Sequence, residues 1–225
     1  MLMTMVRRAR GALLVLGCAT VHTGLWAQGT VTYIVPSQPI YYAPIDGSHD
    51  LDLDGDGAID FTLLSNPSET VLVPHGHNRM VVVPELPPDI GSFVAPLNPG
   101  DEVNSSPSSL NPIFAWFDPQ TDPVGYSLIA GFSTAGSAGY FFGGIHYVGV
   151  SFDYGGANHY GWMEIDSFSP SVPAGQVLRW GFETRQDTPI SAGQVPEPHA
   201  FELIVWCAGI VATLKYARRR ENTSQ

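Results

Sequence analysis

Basic residues and cysteine are scarce in the central part of this 225-residue chain. Between residues 28 and 194 there is no lysine, and three arginines stand against 18 acidic residues, which gives this region a net charge of −15. Such a surface repels phosphate backbones and argues against nucleic-acid binding. Both cysteines, Cys18 and Cys207, lie in the terminal segments. The central region therefore has no disulfide, thiolate zinc site or cysteine nucleophile.

Long helical patterns and catalytic motifs are also missing from this region. No segment keeps a helical hydrophobic period beyond two turns. No "GxSxG" or "HExxH" occurs, and no glycine-rich phosphate loop follows a predicted strand. Short β-branched and aromatic segments such as "TVLVPH", "RMVVVP" and "QVLRWGFET" are instead bounded by glycine, proline, asparagine or aspartate. We therefore predict an all-β body over residues 28–194, built as a β-sandwich or a jelly-roll-like relative.

The segment "HYVGVSFDYGGANHYGWMEID" predicts a β-hairpin that turns at "YGGAN". Its alternation places Trp162, Glu164 and Asp166 on one face, which we expect to be partly exposed. Asp153, Glu164 and Asp166 are the carboxylates from which a glycosidase pair would have to come, and aromatics beside carboxylates also suit sugar binding. Nothing in the sequence fixes the separation of these groups, so we expect no enzymatic activity.

Five aspartates lie within the eleven residues of "DLDLDGDGAID". In the better register of a calcium loop, Asp52, Asp54 and Asp56 take positions 1, 3 and 5, Gly57 allows the turn at position 6, and the Ala58 carbonyl and Asp60 follow. A register that begins at Asp50 puts no carboxylate at position 9. Because hard oxygen ligands suit calcium, we predict a calcium loop over residues 50–61. Position 12 lacks the usual glutamate, and the alternative is a solvated acidic turn without an ion.

Histidine offers a second possible metal site. His75 and His77 in "PHGHN" would point the same way on a strand. No third ligand can be named, and we interpret the segment as an exposed polar turn.

The first 27 residues have the form of a secretory signal peptide. Three arginines precede an apolar run, and Ala27 is the simplest cleavage position. The alternative is a lipoprotein signal in which Cys18 carries the lipid. Either form predicts export.

The other end combines an apolar segment with a basic tail. Residues 200–216 predict one membrane helix whose length is extended by Lys215 and Tyr216 near the interface. Arg218, Arg219 and Arg220 would stay on the cytoplasmic side of the inner membrane, and residues 221–225 form a short tail.

The motif Pro196, Glu197 and Pro198 directly precedes this helix. Motif, helix and basic tail, over residues 195–220, together resemble the PEP-CTERM sorting signal of Gram-negative bacteria. The "YGW" strand and the later "ISAG" segment also resemble the recurrent ending of such proteins. The resemblance implies recognition and cleavage by exosortase, a membrane-embedded cysteine protease. The alternative is a membrane anchor that is never cut.

The resemblance implies an exported, non-catalytic protein of the cell surface or extracellular matrix, associated with exopolysaccharide or biofilm. The alternative is a secreted carbohydrate-binding module or glycan-active hydrolase that is sorted by the same route.

Overall fold

The computed structural model describes residues 31–43, 47–84, 92–122, 125–133, 136–141, 143–168 and 174–196. The predicted signal peptide, Glu197 and Pro198 of the sorting motif, the helix at 200–216 and the basic tail lie outside the described residues. Within the described ranges, no helix is both long enough and apolar enough to span a membrane.

Strands account for most of the described residues, because short β-branched and aromatic segments alternate with turn residues. In chain order they are β1 Val31–Ile34, β2 Ile40–Tyr42, β3 Gly47–Leu51, β4 Phe61–Ser65, β5 Glu69–Pro74, β6 Arg79–Pro84, β7 Ser92–Val94, β8 Glu102–Val103, β9 Ala115–Phe117, β10 Ser127–Ser133, β11 Gly136–Gly139, β12 Gly144–Tyr154, β13 Ala157–Ser167, β14 Gly175–Glu183 and β15 Ile190–Ser191. A single 3-10 turn, Pro107–Ser109, is the one helical element of the described ranges. The prediction of an all-β body is confirmed.

Among the described residues, thirteen strands form one curled sheet in the order β1-β14-β13-β12-β6-β7-β10-β5-β4-β3. Three further pairings branch from this path: β2 pairs with β14, β9 with β6, and β11 with β10. β8 and β15 form a separate two-stranded ladder. Apart from the parallel pair β7–β10, the ladders are antiparallel.

The predicted hairpin is the central feature of the sheet. β12 and β13 pair over their full length, from Gly144 opposite Ser167 to Tyr154 opposite Ala157. The turn consists of Gly155 and Gly156, with φ of 65° and 84°. A two-residue turn of this kind requires positive φ at both positions, which is why glycine stands at both.

Two hydrophobic cores lie on opposite faces of these strands. On one face Val148 and Met163 pack with Phe61 and Leu72, which belong to strands at the far end of the sheet order, so the sheet curls around this core. The side chains of that first core are buried, and its further members include Leu63, Ile129, Val150, Phe152 and Trp180.

The second core lies on the opposite face. There Tyr147 and Trp162 pack with Leu97, and Val103 and Ile190 of the small ladder complete the cover. The sequence predicts that the face of Trp162, Glu164 and Asp166 is partly exposed, and this holds at Asp166, which is half-buried. Around Trp162 and Glu164 it is wrong, since these side chains are 0% and 2% exposed. The ladder β8–β15 and the chain before it cover this part of the sheet, and the sequence pattern of the hairpin alone gives no sign of that cover.

Trp162 leaves no room for a side chain on the strand beside it. Gly181 is its direct partner across the ladder, and a Cβ at Gly181 would lie 2.9 Å from indole Cζ2. The position therefore requires glycine because of a close approach.

We expect Gly181→Ala to lower the free energy of unfolding of the full-length chain by about 1–3 kcal/mol through overpacking. In a Trp162→Phe background the same change should cost less than half as much, since the clashing indole atoms are gone. Urea denaturation followed by far-UV circular dichroism gives both differences. Equal penalties in the two backgrounds would contradict the clash.

Candidate metal centre

The aspartate loop connects two paired strands and is held near its start by a buried leucine. Leu51 at the end of β3 faces Phe61 at the start of β4, so residues 52–60 form a closed loop. Leu53 is 1% exposed, and its side chain joins the first core. Its carbonyl accepts a hydrogen bond from indole Nε1 of Trp180 at 2.9 Å. The loop is thereby fixed to β14, which lies far along the chain.

The turn itself is organised by Asp52. Its carboxylate oxygens accept hydrogen bonds from the backbone N–H groups of Gly55 at 2.7 Å and of Gly57 at 2.9 Å. Both glycines have positive φ, 82° and 91°. These are left-handed conformations that other residues rarely adopt. The predicted role of Gly57 in the turn agrees with this geometry.

Three of the predicted ligands converge. One carboxylate oxygen each from Asp52, Asp54 and Asp60 lies within 4.8 Å of the other two. Asp60 is buried, and it is held by the N–H of Leu53 at 2.8 Å and by the side-chain amide of Asn78 at 2.9 Å. A fixed, buried carboxylate and two half-exposed ones provide the hard oxygen donors that a divalent cation prefers.

The electrostatics of the cluster fit a cation. Burial raises the pKa of Asp60 to about 6, and the charges of Asp54 and Asp52 add to the effect. Burial likewise raises the pKa of Asp54, to which the charges of Asp56 and Asp52 contribute. Like charges at this separation destabilise one another, and a bound cation removes that repulsion.

Asp56 and Ala58 do not belong to the three-carboxylate cluster. Asp56 is exposed, and its Oδ1 accepts a hydrogen bond from the backbone N–H of Ala58 at 2.6 Å. Their assignment as ligands stays a prediction. Asp50 lies on β3, where its carboxylate accepts the Thr62 hydroxyl at 2.8 Å, so a loop register that begins at Asp50 finds no support.

Sequence reasoning missed Asn78. Its Nδ2 donates to Asp60, and its Oδ1 accepts the backbone N–H of Asp153 at 3.1 Å. One buried amide therefore joins the aspartate loop to the tip of the central hairpin. The polar "PHGHN" segment contains Asn78, but nothing in that local pattern indicates a contact with an aspartate 18 residues earlier in the chain.

The histidines lie in an exposed turn between β5 and β6, as expected. Nε2 of His75 is 2.7 Å from the Thr62 hydroxyl. A cavity of about 440 Å³ opens beside the three-carboxylate cluster. Its wall includes Asp56, Asp60, His75, His77, Asn78 and Asp153.

Asp153 and Glu164 do not form the pair that a glycosidase uses. Asp153 lies opposite Asn158, whereas Glu164 lies opposite Tyr147, which precedes Asp153 by six residues on β12. At about 3.3 Å per residue the two carboxylates are roughly 20 Å apart along the ladder, beyond the separation of about 5–9.5 Å found in such pairs. Glu164 is instead buried and accepts Nε of Arg179 at 2.7 Å.

Comparisons of the chain with protein-family models, with curated proteins and with solved structures give no match. The metal centre therefore stands on the geometry of its own residues.

Asp54→Asn and Asp56→Asn remove the same charge from the same exposed loop, so they form a matched pair. We expect Asp54→Asn to weaken Ca²⁺ binding of the full-length chain about tenfold or more, since a converging ligand is lost. Asp56→Asn should weaken it less than threefold, through charge alone. Isothermal titration calorimetry gives both constants. Equal losses would favour the ligand set that the sequence predicts, with Asp56 included.

Proposed function

We propose that this protein is an exported, non-catalytic component of the cell surface or extracellular matrix of a Gram-negative bacterium. In this proposal a sandwich-like or jelly-roll-like β body carries a structural calcium site. Exosortase cuts the chain at its PEP-CTERM signal, and the released body works with exopolysaccharide in a biofilm or a related matrix.

The observation that carries this proposal is the position at which the folded body ends. Ile190 in β15 of the small ladder and Ala192 just after it are buried, whereas Val195 and Pro196 are exposed. The sorting motif therefore begins two residues after the last turn of the body, which spans residues 191–194 and is closed by the hydrogen bond from the N–H of Gln194 to the carbonyl of Ser191. A protease could reach a motif at this place without unfolding the sheet, and proline restricts the backbone in a way that favours an extended recognition segment.

The precursor in this proposal is held in the inner membrane by residues 200–216, with Lys215 and Arg218 to Arg220 on the cytoplasmic side. An uncut anchor would have the same topology, so the two possibilities differ only in processing at the motif.

Calcium is the proposed cation because the three converging donors are carboxylate oxygens, which are the ligands that calcium prefers. No histidine belongs to this cluster of described residues, and Nε2 of His75 lies against the Thr62 hydroxyl instead. The site would be structural. The loop contains Leu53, whose side chain packs in the first core and whose carbonyl accepts a hydrogen bond from Trp180 of β14. A cation that neutralises the carboxylates of the loop would therefore stabilise this contact with β14.

A secreted carbohydrate-binding module is the second candidate function. It is favoured by aromatic side chains that stand exposed on the sheet beside a carboxylate, Tyr41 and Phe168 near Asp166. A glycan-active hydrolase would need a carboxylate pair other than Asp153 with Glu164.

We expect 10 mM Ca²⁺ to raise the melting temperature of the full-length chain in detergent by about 3–10 °C relative to excess chelator. The estimate follows from an extracellular-type dissociation constant of about 10⁻⁴–10⁻³ M. Mg²⁺ at the same concentration should raise it less. Superimposable melting curves with calcium and with chelator would count against the site.

The sorting proposal predicts a shortened, released protein in a Gram-negative host that encodes exosortase. Pro196→Ala should leave the uncut precursor in the membrane fraction, because the rigid recognition motif is lost. Pro112→Ala, at another exposed proline, is the matched control and should be processed normally. Immunoblotting of membrane and released fractions with an antibody to the β body reports both. An anchor that is never cut would show the same size in all three strains and after exosortase deletion.

A further inference from the structure

Among the residues that the structure describes, none covers one end of the central strands on the face that carries the second core. Four residues form a row across neighbouring strands on this face. Tyr41 pairs with Gln176, Gln176 with Asp166, and Asp166 with Ile145. Directly paired residues in antiparallel strands present their side chains on the same face, so the four side chains stand side by side.

The adjacent positions on these strands point to the opposite, buried face. Tyr42 reaches the hydroxyl of Ser167 at 3.2 Å, and both are buried. A Cβ at Gly175 would clash with the Tyr42 hydroxyl. The alternation confirms that the row with Tyr41 faces away from the first core.

The row, together with Phe168 next to Tyr41, is rich in exposed apolar surface. Tyr41, Ile145 and Phe168 are 55%, 54% and 51% exposed. The rings of Tyr41 and Phe168 lie with centroids 6.2 Å apart at an angle of 52°. Large apolar side chains that cluster outside the core mark contact surfaces more often than isolated ones do.

Hydrogen-bonding groups lie in the middle of this apolar surface. Nε2 of Gln176 donates to Oδ2 of Asp166 at 3.2 Å, and both side chains are half-buried. The pair still offers a free carboxylate lone pair and a second amide donor. Donor and acceptor therefore stand next to each other, flanked by Tyr41 on one side and Ile145 on the other.

The chemistry of the row matches a pyranose. A sugar ring presents an apolar C–H face, which packs on aromatic rings, and an edge of hydroxyls, which both donate and accept. The area of three apolar side chains is far smaller than the roughly 800 Å² that each partner buries in a stable protein interface. Asp166 and the net charge of −15 over residues 28–194 repel an acidic polymer. These observations favour a neutral chain.

We propose that Tyr41, Phe168, Asp166, Gln176 and Ile145, here called the sheet platform, bind neutral hexose polysaccharide. This inference rests on the proposed matrix function and names its partner. The aromatic rings stack on the sugar, the carboxylate accepts its hydroxyls, and the amide donates to them.

The test is calorimetric titration of the full-length chain in detergent with hexamers of β-1,4-linked glucose and of β-1,4-linked mannose, and with hexagalacturonate as the acidic probe. We expect saturable binding of at least one neutral hexamer and none of the acidic one. Tyr41→Ala and Phe168→Ala should each lower the affinity about tenfold or more, which corresponds to about 1.4 kcal/mol. Both side chains are exposed, so the melting temperature should stay within about 2 °C.

Tyr126→Ala is the matched control, because this tyrosine is also exposed and lies outside the sheet platform. It should bind as the unaltered chain does. The proposal is overturned if neither neutral hexamer binds, if only hexagalacturonate binds, or if Tyr41→Ala and Tyr126→Ala bind alike. It is also overturned if Tyr41→Ala abolishes self-association in sedimentation while sugar binding is absent.

Failure here is distinguishable from failure of the sorting proposal. Tyr41→Ala should still be exported and cut at the sorting motif, so loss of sugar binding with normal processing concerns the sheet platform alone. Normal sugar binding by a chain that is never cut would leave the sheet platform in place and refute sorting.

Discussion

The β12–β13 hairpin buries both of its faces, and the architecture follows from that constraint. Val148 and Met163 face one way, while Tyr147 and Trp162 face the other. A flat sheet could not cover both sets. The sheet therefore curls until strands from its far end meet the first face, and a separate ladder closes over the second.

The two proposed binding regions lie at opposite ends of this hairpin. Asn78 ties the aspartate loop to the backbone of Asp153 near the tip, whereas Ile145 belongs to the sheet platform at the base. Eight residues of extended strand separate Asp153 from Ile145, roughly 26 Å. The rigid ladder fixes this spacing, so one molecule can hold a cation at one end and a polymer at the other without the sites interfering.

Local features of the fold could be predicted from sequence, and long-range ones could not. The hairpin and the glycine turn of the aspartate loop are specified by adjacent residues, through the alternation of strands and the φ that Gly57 adopts. The bond between Trp180 and Leu53, and that between Asn78 and Asp60, join parts of the chain whose proximity depends on strand order. No local pattern encodes that order, which is why the burial of Glu164 and the importance of Asn78 escaped sequence reasoning.

If the chain is exported as proposed, the position of the aspartate loop would link cation binding to the compartment in which the fold is completed. The loop brings three carboxylates together only when Leu53 is seated in the core, because the N–H of Leu53 also holds Asp60. Seating Leu53 therefore costs electrostatic repulsion, which a cation offsets. At the weak affinity typical of extracellular modules the loop would hold calcium outside the cell and not at cytosolic concentrations. An exported chain would thus gain this part of its stability only after it has crossed the membrane.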